Sequence, residues 1–297
     1  MAKPSPLDYA LLTGVGLSWG SQFILNQLAI ASIPPLMVAT GRVLIGCAAL
    51  TSLIWLFPQF VRFEANETIK QPWGKFALIG VTEAIVPYFL VPWGQQQVSA
   101  SAAAILLATI PIFTLLLAPV FIKNESYNVV TTAGVILGFV GVVILVAPHK
   151  QAFLLSELSG ELAILGGALS FSISLILIKR LPSIPPLLVI RNIFLMASLP
   201  LVIATLIWHP PWTLSISIKS SLALIALGII CGAMAYAMYI SLLNRMGATF
   251  TSLSSYLVTL FGVLIGVGLL GNQLHSNDLL AMFFIMAALG VHQFRHR

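Results

Sequence analysis

Charge is what this sequence has least of. Only eight of its 297 residues are Asp or Glu, and charged side chains of both signs make up 7%. A soluble globular domain carries about 25%, so a surface wetted on all sides is excluded. Cysteine is nearly absent too. Cys47 and Cys231 both lie inside apolar runs, which suits packing and speaks against a disulfide or a cysteine metal centre. No metal-ligand spacing, Gly-x-Ser-x-Gly turn or phosphate-cradling loop occurs, and His149, His209, His275, His292 and His296 all fall at helix ends or in tails. These absences argue against an enzyme, a metal, a cofactor and a nucleotide-driven pump. The net charge of +6 is not gathered into a patch or stripe, so no nucleic-acid partner is indicated.

What is present is apolar length: 59% of the residues are hydrophobic. Crossing a bilayer core takes about 20 apolar residues in a helix. That ruler gives ten spans: 7–28, 35–57, 75–97, 101–122, 129–147, 160–180, 186–208, 220–242, 249–271 and 278–294. The N-terminal MAKPSPLDY runs into the first span without a small-residue cleavage site, so that span reads as a retained helix rather than a signal peptide. The longest connections are 57–74 and 147–160. The expected fold is an all-α membrane protein in a lipid bilayer.

Basic residues orient it. With the N-terminus inside, Lys3, Arg62, Lys70, Lys75, Lys123, Lys179, Arg180, Arg245, Arg295 and Arg297 are internal, and only Lys150 and Lys219 are external. Ten against two predicts cytoplasmic N- and C-termini.

The chain also repeats itself. SIPPLMV at 32–38 and SIPPLLV at 183–189 match at six of seven positions. LSWG at 17–20 faces LSFS at 169–172, and an offset of 148 pairs Gly80 with Gly228, Tyr88 with Tyr236, and Asn124-Glu125 with Asn272-Gln273. Two halves follow, 1–148 and 149–297, each of five helices. Because five is odd, the second half enters from the opposite face, which predicts two inverted five-helix repeats with a site near the midplane between them.

Several motifs then resemble the EamA-type members of the drug/metabolite transporter superfamily. They are WGSQFILNQLAI followed by Arg42, GQQQVSASAAAILLATIPIF leading into KNES, a glycine-rich fifth span (Gly134, Gly138, Gly141), and YISLLNRMGATFTSLSSYL in the second half. The resemblance covers nearly the whole chain. It implies a ten-helix carrier of small metabolites with a central cavity, in a bacterial inner membrane. This chain departs from the pattern at Glu83, where many relatives carry an amide, and at Gln95, where they carry an acid. Thr259 and Gln273 stand opposite Pro111 and Glu125.

Polar residues on one face of a span must point to protein or water. Spacings of three and four group Trp19, Gln22 and Asn26 on the first span, Glu83, Pro87 and Gly94 beside Tyr88 on the third, and Tyr236 with Tyr239 on the eighth. Ser252, Ser255 and Thr259 group on the ninth, and Ser170 with Ser174 on the sixth. The serines of the sixth and ninth spans read mainly as structural. The glycine pairs Gly16/Gly20, Gly134/Gly138 and Gly262/Gly266 read as close helix contacts, within one chain or between two, so a monomer and a homodimer both fit.

Three charges lie within spans: Arg42, Glu83 and Arg191. At 1.5 Å per residue they sit about 10 Å from the outer face, about 12 Å from the inner face and about 8 Å from the inner face. A charge there costs about 2.5–3.5 kcal/mol on insertion scales. Two readings stay open. Glu83 and one arginine form a buried pair that fixes helix register, or all three line a cavity where an arginine holds a substrate anion and Glu83 meets an amine or carries a proton. Pro87 and Pro92 each remove a backbone donor, which makes them hinge candidates beside the acid. Together these residues (Trp19, Gln22, Asn26, Arg42, Glu83, Tyr88, Arg191, Tyr236, Tyr239 and Ser255) predict a secondary carrier, with export expected and proton coupling through Glu83. Its cargo would be a small polar metabolite or an amino-acid-like zwitterion. A passive channel or a non-transporting scaffold is the alternative.

Overall fold

A backbone in hydrocarbon has no water to satisfy it and must close its hydrogen bonds internally. In the computed structural model, which describes residues 4–58, 71–121, 129–146 and 155–294, the chain does this with helices, and no strand occurs among the described residues. Lys3, Arg62, Lys70, Lys123, Lys150, Arg295, Arg297, His149, His296, the Asn124–Glu125 pair and most of the two longest connections lie outside the described residues.

The helices are α1 (Pro6–Gly20), α2 (Gln22–Ile30), α3 (Pro35–Leu56), α4 (Trp73–Gly80), α5 (Val86–Gly94), α6 (Ala100–Leu107) and α7 (Ile110–Phe121), then α8 (Val129–Val146), α9 (Leu155–Ile178), α10 (Pro186–Trp208), α11 (Ile218–Ala226), α12 (Ala235–Thr251), α13 (Ser254–Leu270) and α14 (Ser276–Phe294). Their ends follow local chemistry. Pro35 and Pro186 open α3 and α10, where a missing N–H costs nothing and φ is already helical. Ser5 and Asp8 form a capping box on α1, and Ser99 caps α6 by accepting from the Ala102 N–H at 3.1 Å. Gly271, at φ 65°, ends α13 in a left-handed turn that glycine adopts without steric cost.

Among the described residues, six helical stretches are long and apolar enough to cross a membrane: Pro35–Leu56, Trp73–Gly94, Ala100–Phe121, Glu157–Ile178, Pro186–Thr213 and Ile218–Gly247. Three shorter apolar helices accompany them, Thr132–Ile144, Ser254–Leu270 and Ser276–Ala287. The expected single helix over 7–28 is instead two, broken at Ser21, whose hydroxyl donates to the Ser18 carbonyl at 2.9 Å. Trp73–Gly94 and Ile218–Gly247 each contain a π-helical segment, Val81–Ile85 and Leu227–Met234. Shifting the first by 148 residues lands inside the second.

Packing follows a reciprocal pattern. α3 lies against α10, and α8 against α14. α1 packs on α12 and α13, while α9, its counterpart by sequence, packs on α5, α6 and α7. Small residues allow the close approaches. A side chain on Gly20 would meet the Phe261 Cβ at 2.8 Å, and one on Gly94 would meet the Gly160 carbonyl at 2.5 Å. Lipid tails give helices no hydrophobic reason to associate, so such fitted surfaces carry the packing. Val43, Leu50, Phe76, Ile79, Ile193, Phe194 and Leu201 form a dry cluster between α3, α4 and α10. Large apolar side chains such as Ile136, Val143, Leu199, Ile207, Leu264 and Phe283 face outward, where lipid would cover them.

Candidate functional site

The helix from Trp73 to Gly94 changes register where its acid sits. Within Val81–Ile85 the hydrogen bonds widen, and the Val86 N–H reaches back to the Val81 carbonyl. Pro87, which follows at once, has no N–H to offer the Glu83 carbonyl. The Thr82 carbonyl accepts from Ser170 Oγ of α9 at 2.8 Å. By sequence the two prolines are hinge candidates. Here the disturbance takes the form of a π turn, a feature that often marks functional positions. Pro92 lies inside α5.

Glu83 is buried, and each of its carboxylate oxygens accepts one hydrogen bond. Tyr236 Oη of α12 donates to one oxygen at 2.5 Å, and Ser174 Oγ of α9 donates to the other. Neither Arg42 nor Arg191 forms an ion pair with it among the described residues. The buried-pair expectation is thus corrected: hydroxyls from two distant helices, not a guanidinium, hold the acid.

Arg42 is 4% exposed and stacks over the Tyr88 ring with Cζ 3.9 Å from the centroid. Its Nη2 donates to Gln22 Oε1 at 3.0 Å, while its Nε is buried without a partner among the described residues. A guanidinium carries five donors, and a neutral amide and a ring leave its charge uncompensated by direct contact. Trp19 lies edge-on to Tyr236 and tilted to Tyr239, both at 5.3 Å between centroids, and its Nε1 donates at 3.0 Å to the Cys231 carbonyl in the second π segment.

These side chains meet around one cavity of about 250 Å³. Trp19, Gln22, Arg42, Glu83, Tyr88, Tyr236, Tyr239 and Ser255 line it. The rest of its wall is mainly apolar, from Ala104 to Pro111 on one side and Phe171, Leu175 and Val258 on others. The sequence pattern did not single out that apolar wall, because Ala, Leu and Ile look alike facing lipid or a cavity. Ser174 was read as structural; its contact with Glu83 puts it at the site.

Two expected residues lie elsewhere. Asn26 is fully buried away from the lining, donating from Nδ2 to Gln95 Oε1 at 3.0 Å. Gln95 Nε2 donates in turn to the Phe23 carbonyl at 2.9 Å. Arg191 is not among the lining residues either; its peptide carbonyl lies 3.8 Å from Cys47 Sγ and its Nε is buried without a partner among the described residues. The chemistry at hand is therefore one cation and one carboxylate in a mostly aromatic and aliphatic chamber.

Comparison with known proteins supplies the context. The profile of the EamA-like transporter family matches residues 8–147 and 158–291. The inner membrane transporter YedA of Escherichia coli K12, described as uncharacterized, is 26% identical over 283 residues, covering 95% of this chain and 89% of its own. PagO of Salmonella typhimurium is 22% identical over 267 residues, 90% of this chain and 86% of its own. The uncharacterized transporter YoaV of Bacillus subtilis is 26% identical over 163 residues, which span 55% of this chain and only 54% of that protein. A solved crystal structure aligns over 97% of both chains with a TM-score of 0.68 at 17% identity, a likeness of fold.

Proposed function

This chain belongs to the EamA-like transporter family of membrane proteins, and on that footing we propose that it is a secondary carrier, an exporter of small zwitterionic metabolites of amino-acid type, working by alternating access. The observation that carries the reading is the pairing of a guanidinium, Arg42, which contacts no carboxylate among the described residues, with a carboxylate, Glu83, in the lining of one cavity. A substrate carboxylate would complete the donors of Arg42. A substrate ammonium would face Glu83 and the rings of Trp19, Tyr236 and Tyr239, where cation–π attraction adds to the charge.

The architecture we infer is ten crossings in two inverted halves, 1–148 and 149–297, with both termini cytoplasmic in a bacterial inner membrane. Support comes from the matching positions of the two π segments and from the reciprocal packing of α1 and α9. The exposed Trp55 and Trp73 at one connection, and Trp208 and Trp212 at another, suit the two aromatic belts of such a bilayer protein. Glu83 is the proposed proton carrier. Its two oxygens accept from hydroxyl donors, and the substrate ammonium or a proton would take their place in turn. Pro87 and Pro92 are the proposed hinge beside it.

Flux into proteoliposomes is the test, with amino acids, organic acids and cationic compounds as cargo and with or without an imposed pH gradient. Saturable flux that responds to the gradient supports a proton-coupled carrier. Non-saturating flux would mean a channel, and no flux with any cargo would return the chain to a scaffold role.

A further inference from the structure

One wall of the cavity, at Ala104, borders a seam between two groups of helices. α2 and α13 pack with α1, whereas α5 and α6 pack with α9. Where these groups meet, Ser101 of α6 donates through Oγ at 3.3 Å and N–H at 3.4 Å to Asn272 Oδ1, just beyond α13. The left-handed turn at Gly271 puts Asn272 there, its own N–H returning to the Gly266 carbonyl at 3.2 Å. Beneath that contact the backbones approach closely. A side chain on Gly266 would strike Ser101, and one on Gly262 would meet the Ala104 Cβ at 2.7 Å and the Phe23 ring at 2.9 Å. Ala104 is itself part of the cavity wall. Beside it, the Asn26–Gln95–Phe23 chain joins α2 to the end of α5. By contrast, α13 makes no comparable contact with α7 among the described residues.

We propose that this seam, Ser101 and Ala104 against Gly262, Gly266 and Asn272 with the Asn26–Gln95 pair at its flank, is a gate that closes one mouth of the cavity and parts during transport. The proposal rests on the alternating-access reading above. Its chemistry suits a reversible barrier. Every polar contact across it is neutral and two are long, so parting strands no charge. The Asn26 Oδ1 is buried with no partner among the described residues, and water entering an open seam would hydrogen-bond it. Glycines at 262 and 266 let the two surfaces meet with dispersion contact and no bulk to dislodge.

The test needs no known cargo. In a chain carrying Cys47→Ala and Cys231→Ala, Ser101→Cys and Asn272→Cys would be oxidised with copper phenanthroline, and a third cysteine, Ser255→Cys, would report cavity access to a membrane-impermeant maleimide applied to either face. Cross-linking should slow labelling from one face at least tenfold, leave the other face unchanged and reverse with dithiothreitol. A second variant, Gly262→Leu, should wedge the seam and raise labelling from that same face several-fold. Failure to cross-link, or cross-linking with labelling unaltered from both faces, would overturn the gate. The carrier reading fails on flux instead, so the two outcomes are separable.

Discussion

Tyr236 and Glu83 stand 153 residues apart in sequence, and their side chains meet at 2.5 Å beside the cavity. The contact ties a π segment in the first half to the helix that follows the π segment of the second. A phenol and a serine hydroxyl, both neutral, leave the carboxylate's charge available to whatever enters. An arginine partner would have neutralised it.

Replacing Glu83 by Gln keeps the volume and removes both the charge and the proton site. In proteoliposomes the native chain should transport faster under a proton gradient of one polarity than of the other, and Glu83→Gln should run equally under both. Its kcat/KM should also fall by at least about tenfold, the equivalent of 1.4 kcal/mol. Unchanged affinity and an unchanged gradient response would remove Glu83 from the mechanism.

A hydrogen bond to a charged group is worth about 1.5–3 kcal/mol. Tyr236→Phe and Ser174→Ala should therefore each lower kcat/KM by about tenfold or more. Both donors serve one carboxylate, so the double variant should lose less than the product of the two. Strict additivity in that cycle would mean the hydroxyls act independently of Glu83.

Arg42 lies flat on Tyr88 and donates to Gln22, a geometry that lysine cannot copy because its charge is a point on a flexible stem. Arg42→Lys should raise KM about tenfold for a carboxylate-bearing substrate, and Arg42→Gln should raise it further. A methyl ester of the same substrate should compete equally well against all three chains. Equal losses for acid and ester would assign Arg42 to packing alone.

Helix contacts can be probed by size. Gly94→Val would drive a methyl into the Gly160 carbonyl, which already lies 2.5 Å from the position of an added Cβ. Overpacking of this kind costs about 1–3 kcal/mol, and thermal unfolding in detergent should register it as a lower midpoint. Gly268→Ala adds its methyl where no atom lies within 4 Å, so its midpoint should match the native chain or rise slightly. A Gly94→Val midpoint equal to that of Gly268→Ala would show that the α5–α9 approach can relax.

Much of the site could be read before any coordinates. A carboxylate and an arginine within apolar spans can only face protein or water, so Glu83 and Arg42 announced themselves by solvation cost alone. The tyrosines and Trp19 followed from helical spacing. Asn26 did not: it lies one turn beyond Gln22 on the same helix, α2, and its amide bonds Gln95 at the end of α5 instead of lining the cavity. Arg191 is as buried in sequence terms as Arg42, and no local feature separates an arginine at the cavity from one packed near Cys47. The π turn around Glu83 was equally hidden, since Pro87 signals a missing donor but not how the backbone absorbs it.

The sequence by itself determined that this is a helical membrane protein with an internal repeat and a charged interior. Those properties depend on local composition and period, and each residue contributes regardless of its neighbours in space. The tertiary structure alone decided that Glu83 is held by Ser174 and Tyr236, that Arg42 rests on Gln22 and Tyr88, and that Ser101 reaches Asn272. Partners 91, 153 and 171 residues away are selected by how the helices fit their glycines and rings together, and that fit belongs to the assembled whole.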